Sequence, residues 1–240
     1  MKLSVIIPCY NEELTIKQVI CDIQKYCPKC EIYVFDNNSS DNSYNIAKET
    51  GAIVNKVSYQ GKGEVIRRAF ADIDSDIYIM VDADMQYDLS EINNFINYFT
   101  ENKLDMLNIS REVVDETVHR KGHSFGNMML TGFANFLFGK KFNDMLSGYR
   151  IFSKRFVKSF PANSRGFEIE TELTIIALQM RLPIGEMEAE YKSRPEGSFS
   201  KLNTFKDGFR ILGLIIYLLM SERPLLFWWI IALIFALFGL

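Results

Sequence analysis

Over the first 110 residues, apolar and polar positions follow two alternating rhythms. The runs "LSVIIP" at 3–8, "EIYVFD" at 31–36, "AIVNKV" at 52–57, "DIYIMV" at 76–81 and "LDMLNI" at 104–109 are short, apolar and bounded by polar residues, the pattern of strands buried in a sheet. Helical spacing fills the gaps. After Asn11, placed by the pattern as an N-cap, Ile16, Val19, Ile20 and Ile23 share one helical face. A second helix is expected from about Ser40 to Thr50, ending at Gly51, and "EVIRRAFADI" and "SEINNFINYFT" supply two more. Strand and helix in turn predict an α/β fold, a mostly parallel sheet joined by right-handed crossovers and covered on both faces.

In such sheets ligands bind beyond the carboxyl ends of the strands, and there the polar residues gather. The first strand runs into Pro8, Tyr10, Asn11 and Glu12, the second into Asp36, Asn37 and Asn38, the fourth into Asp82 and Asp84, the fifth into Ser110 and Arg111. Each has a plainer reading alone, as a cap or a turn former. Their sharing of one edge points to a ligand. If the chain stays extended past the fourth strand, Asp82 and Asp84 project together and Ala83 points away. Two hard oxygen donors on one face suit Mg²⁺ or Mn²⁺, whose shell is completed by phosphate and water.

Charge and cysteine content narrow the classes. A net charge of −3 and an acidic pI argue against a broad nucleic-acid surface. The four cysteines all fall within the first thirty residues, and Cys27 and Cys30 are the only close pair. One CxxC is expected to be two reduced thiols of a cytoplasmic protein. The first strand starts at Leu3, so no cleavable signal is expected before it. At the other end "FRILGLIIYLLM" and "LLFWWIIALIFALFGL" break the pattern. The second run has sixteen uncharged residues, reaching about 24 Å, short of a full membrane span, as if cut inside a transmembrane helix. The expected division is a catalytic domain over 1–205, an interfacial helix over 206–222 behind Lys201, Lys206 and Arg210, and a truncated transmembrane helix over 224–240. A buried soluble hairpin is the alternative.

Segment 112–146 lacks the strand and helix rhythm. "GNMMLTGFANFLFGKKF" reads as a helix apolar over a wide face, with Lys140 and Lys141 behind it, suited either to a membrane or lipid tail or to covering the sheet. His119 and His123 have helical spacing, but with Gly122 between them and no nearby acid they do not make a metal site.

Taken in order, "VIIPCYNEE", "VFDNNSSD", "GKGEVIRRAF", "VDADMQYD", "NDMLSGYRIF" and "RPEGSFSKLNTFKDG" resemble family-2 glycosyltransferases of the GT-A fold. The last two make the chain similar to the branch with dolichyl-phosphate mannose synthase and bacterial polyisoprenyl-phosphate glycosyltransferases. The resemblance implies that Pro8, Tyr10, Asn11, Glu12, Asp36, Gly61, Lys62, Asp82, Ala83, Asp84 and Gln86 bind a UDP- or GDP-sugar, with Asp84, Gln86 and Asp82 holding Mg²⁺ or Mn²⁺. It implies that Arg111, Ser147, Gly148, Tyr149, Arg194, Ser198 and Lys201 meet the acceptor, and that Asp82, Asp84, Arg111, Arg150, Arg194 and Lys201 are the catalytic set. Asn37 stands where many relatives carry a second acid, which puts that acid's contact in doubt. The resemblance also implies an integral protein of the cell membrane with its catalytic domain on the cytoplasmic side, in contact with lipid and able to self-associate.

Chemistry favours a polyisoprenyl phosphate acceptor such as undecaprenyl or dolichyl phosphate. A phosphate monoester is already largely ionised at pH 7 and needs no general base, whereas a sugar or protein hydroxyl does. Direct in-line displacement by it inverts the anomeric carbon. A hydroxyl-directed transferase is the alternative, and it would recruit a base from Glu168, Glu170 or Glu172. No QxxRW pattern of a processive synthase follows Gln179. A scaffold that only binds nucleotide sugar is a third class, and would not need the metal site.

Overall fold

In the computed structural model, residues 1–113, 121–139 and 142–239 are described. Seven strands form one sheet in the order β3-β2-β1-β4-β6-β5-β7. β1 (Leu3–Cys9), β2 (Glu31–Asp36), β3 (Ile53–Lys56), β4 (Ile77–Met80) and β5 (Met106–Val113) are the five expected strands. β6 (Arg150–Ser153) and β7 (Ile184–Tyr191) complete the sheet. β6 is antiparallel to both β4 and β5, and the other pairings are parallel.

The period-2 pattern of the strands divides the core between the two faces. Val5, Ile7, Val34, Ile79 and Ile109 pack with α1 (Ile16–Tyr26), α2 (Ser43–Glu49) and α4 (Ile92–Glu101). Ile6, Phe35, Tyr78, Met80 and Phe152 pack with α3 (Lys62–Asp72), α5 (Lys121–Phe138), α6 (Lys154–Ser159), α7 (Ile169–Gln179) and α8 (Thr204–Glu222). Both faces are covered, as the apolar runs required.

Three local expectations are corrected. Asn11 is not the cap of α1, which starts after Thr15. It sits at φ 53° and its Oδ1 accepts the Ser40 N–H at 2.8 Å, tying the end of β1 to the loop after β2. Cys27 and Cys30 are joined as a disulfide, not free, because the turn closing α1 brings their Cα atoms to 5.6 Å. Cys9 and Cys21 are the free thiols. The third is the path past β4, where the chain turns instead of staying extended, with Met85 at φ 59°; Ala83 is packed in the core while Asp82 and Asp84 line one cavity.

At the C-terminal end, α8 and α9 (Pro224–Phe238) meet at 111°. Among the described residues no single helix is long and apolar enough to cross a membrane, and only this bent pair passes by length and composition. α9 has 15 residues, about 22 Å of helix. α8 buries Ile211, Ile215, Leu218 and Leu219 in the same core as α5 and α7. His119, Lys140, Lys141 and the side chain of His123 lie outside what is described.

Candidate active site

The carboxyl ends of β1, β4 and β5 open on a single cavity of ≈ 820 Å³. Pro8, Tyr10 and Glu12 reach it from β1, Gly61 and Lys62 from the start of α3, and Asp82, Ala83, Asp84 and Gln86 from the turn after β4. Arg111 of β5 lines it too, with Arg194, Ser198 and Lys201 of the strap that joins β7 to α8. Thus thirteen of the residues singled out in the sequence share one wall system, although they run from Pro8 to Lys201 along the chain.

Close backbone approaches shape the floor. A Cβ on Gly148 would overlap the Asp82 carboxylate, and one on Gly61 or Gly63 would overlap the backbone carbonyls of Arg165 or Ser164. Gly61 sits at φ 139°, in the region that only glycine adopts freely. Asn37 fixes the loop before it, accepting the Gly61 N–H at 2.7 Å and donating to the Val57 and Tyr59 carbonyls. That substitution for an acid therefore supplies donors that a carboxylate lacks.

Two charge clusters meet in the cavity. In the first, the Lys62 ammonium bridges Asp82 and Glu170, 2.6 Å from Glu170 Oε1. Burial works against the charge on Lys62, but the two carboxylates outweigh it and hold the ammonium above its ordinary value. Burial likewise raises Glu170, with Lys62 pulling it back. In the second, Asp84 Oδ2 accepts from Arg194 at 2.6 Å and Oδ1 from the Gln86 N–H at 3.2 Å. Arg194 also meets Glu12 at 3.3 Å, and Lys201 lies 2.8 Å from the same carboxylate. The strap's cations rest on the cavity's acids. Burial first, and Asp82 next, push the Asp84 carboxyl up to about 6 against the pull of Arg194. Such a carboxyl gains from added positive charge.

Among the described residues no three His, Cys, Asp or Glu side chains make a self-sufficient metal cage. The donors at hand, Asp84 and Asp82 with the amide of Gln86, instead fit an oxygen-ligated Mg²⁺ or Mn²⁺ that draws part of its shell from phosphate. Gln86 is pre-oriented: its amide donates to the Lys192 carbonyl at 3.1 Å and its oxygen accepts from the Tyr191 hydroxyl at 2.8 Å.

Six expected site residues do not line the cavity. Asn11 offers only its backbone carbonyl, 2.7 Å from Lys201. Asp36 is buried with Oδ1 lacking any hydrogen-bond partner, and Cys9 and Asn37 stand on the wall there. Ser147, Gly148 and Tyr149 are packed beneath the floor, Ser147 bonded to the Ile109 carbonyl and to Tyr87. Arg150 is fully buried and donates to the carbonyls of Met145 and Ser147 and to Thr174. This guanidinium is satisfied by protein groups beneath the floor and does not line the cavity. Arg111 does reach the wall, but the Asp144 carboxylate takes it in two bonds of 2.5 and 2.7 Å, which offsets its charge.

The three glutamates separate cleanly. Glu172 accepts the backbone N–H groups of Asn163 and Ser164, and Glu168 those of Arg165 and Gly166. Only Glu170 faces the cavity. Lys206 and Arg210 of α8, read in the sequence as interfacial, also line it. Their spacing of four residues places both on one helical face.

Comparison with known proteins agrees with this geometry. The chain is 48% identical over 122 residues to Protein RfbJ of Shigella flexneri, covering 50% of this chain and 95% of that one. It is 33% identical over 214 residues to the low-salt glycan biosynthesis hexosyltransferase Agl6 of Haloferax volcanii, covering 87% of this chain and 51% of that one, so it spans about half of that relative's length. A dolichyl-phosphate hexose transferase of the same organism is 26% identical over 229 residues, 92% of this chain and 95% of that one. Among solved structures, glucosyl-3-phosphoglycerate synthase of Mycobacterium tuberculosis in complex with Mn²⁺, UDP and glucosyl-3-phosphoglycerate superimposes with a TM-score of 0.70 at 21% identity, over 92% of this chain and 79% of that one. This likeness shows the fold. Residues 4–160, from the first strand to the end of α6, match Glycosyl transferase family 2, and the chain is therefore a glycosyltransferase that belongs to that family.

Proposed function

We propose that the protein transfers a sugar from a nucleoside-diphosphate donor to the phosphate of a polyisoprenyl carrier at the cytoplasmic face of a membrane, inverting the anomeric centre. One observation carries the reading. The cavity that holds Asp82 and Asp84 is also lined by Lys201, Lys206 and Arg210, and the last two belong to a helix whose outer face is apolar. A cavity lined by carboxylates and also by Lys206 and Arg210 of an apolar helix suits a metal-bound diphosphate and an anionic lipid headgroup. The relative with a dolichyl-phosphate acceptor in its name supports the acceptor class, and the Mn²⁺ and UDP of the mycobacterial enzyme support the donor class.

The residues divide the work. Pro8, Tyr10, Glu12 and the 61–62 turn receive the nucleotide. Asp84, with Asp82 and Gln86, would hold the divalent ion, which when bound would supply positive charge to offset that of the leaving diphosphate. Lys62 holds Asp82 and Glu170 at a fixed separation beneath the sugar. The acceptor phosphate is anionic already, so the protein's task is to bring two polyanions into line. Arg194, Lys201, Lys206 and Arg210 supply the charge for that. Chelation should therefore abolish transfer, and Mn²⁺ or Mg²⁺ should restore it. The test is a screen of UDP- and GDP-sugars against undecaprenyl and dolichyl phosphate, with and without the ion. Transfer that ignores chelation, or goes only to hydroxyl acceptors, overturns the reading.

One observation favours a hydroxyl acceptor instead: Glu170 lines the cavity and burial raises its carboxyl, a direction that makes a better base. The two readings part at Glu170→Gln. A phosphate-directed enzyme keeps most of its kcat, while a base-dependent one loses about 10²-fold or more. Glu172, a backbone acceptor, plays no part in that comparison.

A further inference from the structure

α8 has two unlike faces. Ile211, Ile215, Leu218 and Leu219 are buried in the core. Positions 206, 209, 210, 213, 216, 217 and 220 fall within an arc of about 120° on the helix, and this outer arc changes character along its length. It begins with Lys206 and Arg210 in the cavity wall. It continues as Phe209, Ile216, Tyr217 and Met220, exposed by 73, 43, 56 and 42%. Gly213 lies midway, with nothing within 4 Å of the place a Cβ would take, so the stripe has a notch where the backbone is open.

Neither the core nor α9 accounts for this stripe. A solvent-facing helical arc normally carries charge, and here the charge is confined to the end that lines the cavity. The cavity's other rim has the same composition: Phe199 of the strap lines it while 73% exposed, between Ser198 and Lys201. Polar headgroup contacts therefore pass directly into exposed apolar surface along one helix. An anionic headgroup on a hydrocarbon chain has the same sequence of chemistries.

We infer that the outer arc of α8, from Phe209 past Gly213 to Tyr217 and Met220, is a track for the first isoprene units of the acceptor, with the phosphate held at Lys206 and Arg210. The inference rests on the polyisoprenyl-phosphate reading of the site and adds where the tail runs. The occupant is the acceptor's own chain and not the bilayer at large, because the stripe is continuous with the headgroup wall on the same helical face. Such a track makes the enzyme sense chain length, since each buried methylene adds affinity.

The test uses the full chain in detergent with the donor that the screen identifies. It compares kcat/KM for undecaprenyl phosphate and for geranyl phosphate, which has only two isoprene units. The wild-type ratio should favour the long chain by about tenfold or more, the worth of roughly two buried methylene groups. Phe209→Ser with Tyr217→Ser, and separately Gly213→Phe, which fills the notch, should bring the ratio toward one. Ile53→Ser, an exposed apolar residue on β3, should leave it unchanged. Equal use of both acceptors by the wild type, or a ratio untouched by the α8 variants, removes the track and leaves the acceptor reading standing. A ratio that responds in vesicles but not in detergent also removes it, assigning the stripe to the bilayer. Transfer to neither acceptor removes the acceptor reading together with the track.

Discussion

Asp84→Asn is expected to lower transfer by at least about 10³-fold, several kcal/mol of charge stabilisation at the leaving group, and to do so without loss of stability. The second half follows from the buried carboxyl. In the folded, metal-free chain Asp84 is pushed up to about 6, by burial and then by Asp82, while in the unfolded chain it titrates near its ordinary value of roughly 4. The folded state therefore holds its proton to higher pH than the unfolded state. Below pH ~4 both states are protonated and the group costs nothing. As pH rises from about 4 to about 6 the unfolded chain ionises first and stability falls. Above 6 the full cost is present, of order 2–3 kcal/mol. An asparagine escapes that cost, and Arg194 retains Glu12 as a partner. In chelator the variant should match or exceed the wild-type melting temperature at pH 7.5, with the gap closing toward pH 4. UDP with Mn²⁺ should raise the wild-type melting temperature and not that of the variant. A variant that melts early at pH 7.5 contradicts the assignment of a destabilising acid. One that keeps a tenth of its activity contradicts the metal role.

What the sequence disclosed depended on where each element lies in the sheet. β5 mixes apolar residues with Asn108, Ser110, Arg111 and Glu112, while β1, β2 and β4 are interior strands and read as largely apolar runs. β7 does not, because it is the edge strand and alternates Glu186, Glu188 and Glu190 with its inward residues. β6 is four residues long and opens with a charge, which reads as a site although it does not line the cavity. The acids and cations of the cavity were legible because they fall at strand ends and in one strap. Their pairing was not legible: Lys62 meets Glu170 across 108 positions, and Arg194 meets Asp84 across 110. Arg150 misleads for the same reason, since a buried arginine bonded to carbonyls and one that lines the cavity share the letter. The C-terminal runs announced apolar helices correctly, but composition does not encode the 111° bend between them.

Glycine 148 provides the second large effect, because its missing side chain is what admits Asp82 to the floor. A Cβ there would overlap the Asp82 carboxylate, and no backbone neighbour stands closer. Gly148 is not among the glycines with positive φ, so alanine meets no backbone strain. The Asp82 side chain, partly exposed and ending in a rotatable carboxylate, yields instead. It swings off Lys62, which keeps Glu170. Displacing an acid by an ångström or so beside a reacting diphosphate costs about 10²-fold, so Gly148→Ala should lose about that much kcat/KM while its melting temperature barely moves. Gly63→Ala is the counterpart. Its Cβ would overlap the Ser164 carbonyl, a backbone atom held by the Gly63 N–H to Arg165 O contact at 2.9 Å next door, and it should cost roughly 1–3 kcal/mol of stability. Denaturant midpoints and steady-state kinetics on the two variants separate the two kinds of glycine. If Gly148→Ala unfolds as readily as Gly63→Ala, the residue serves packing. If it keeps both fold and turnover, Asp82 is not where catalysis needs it.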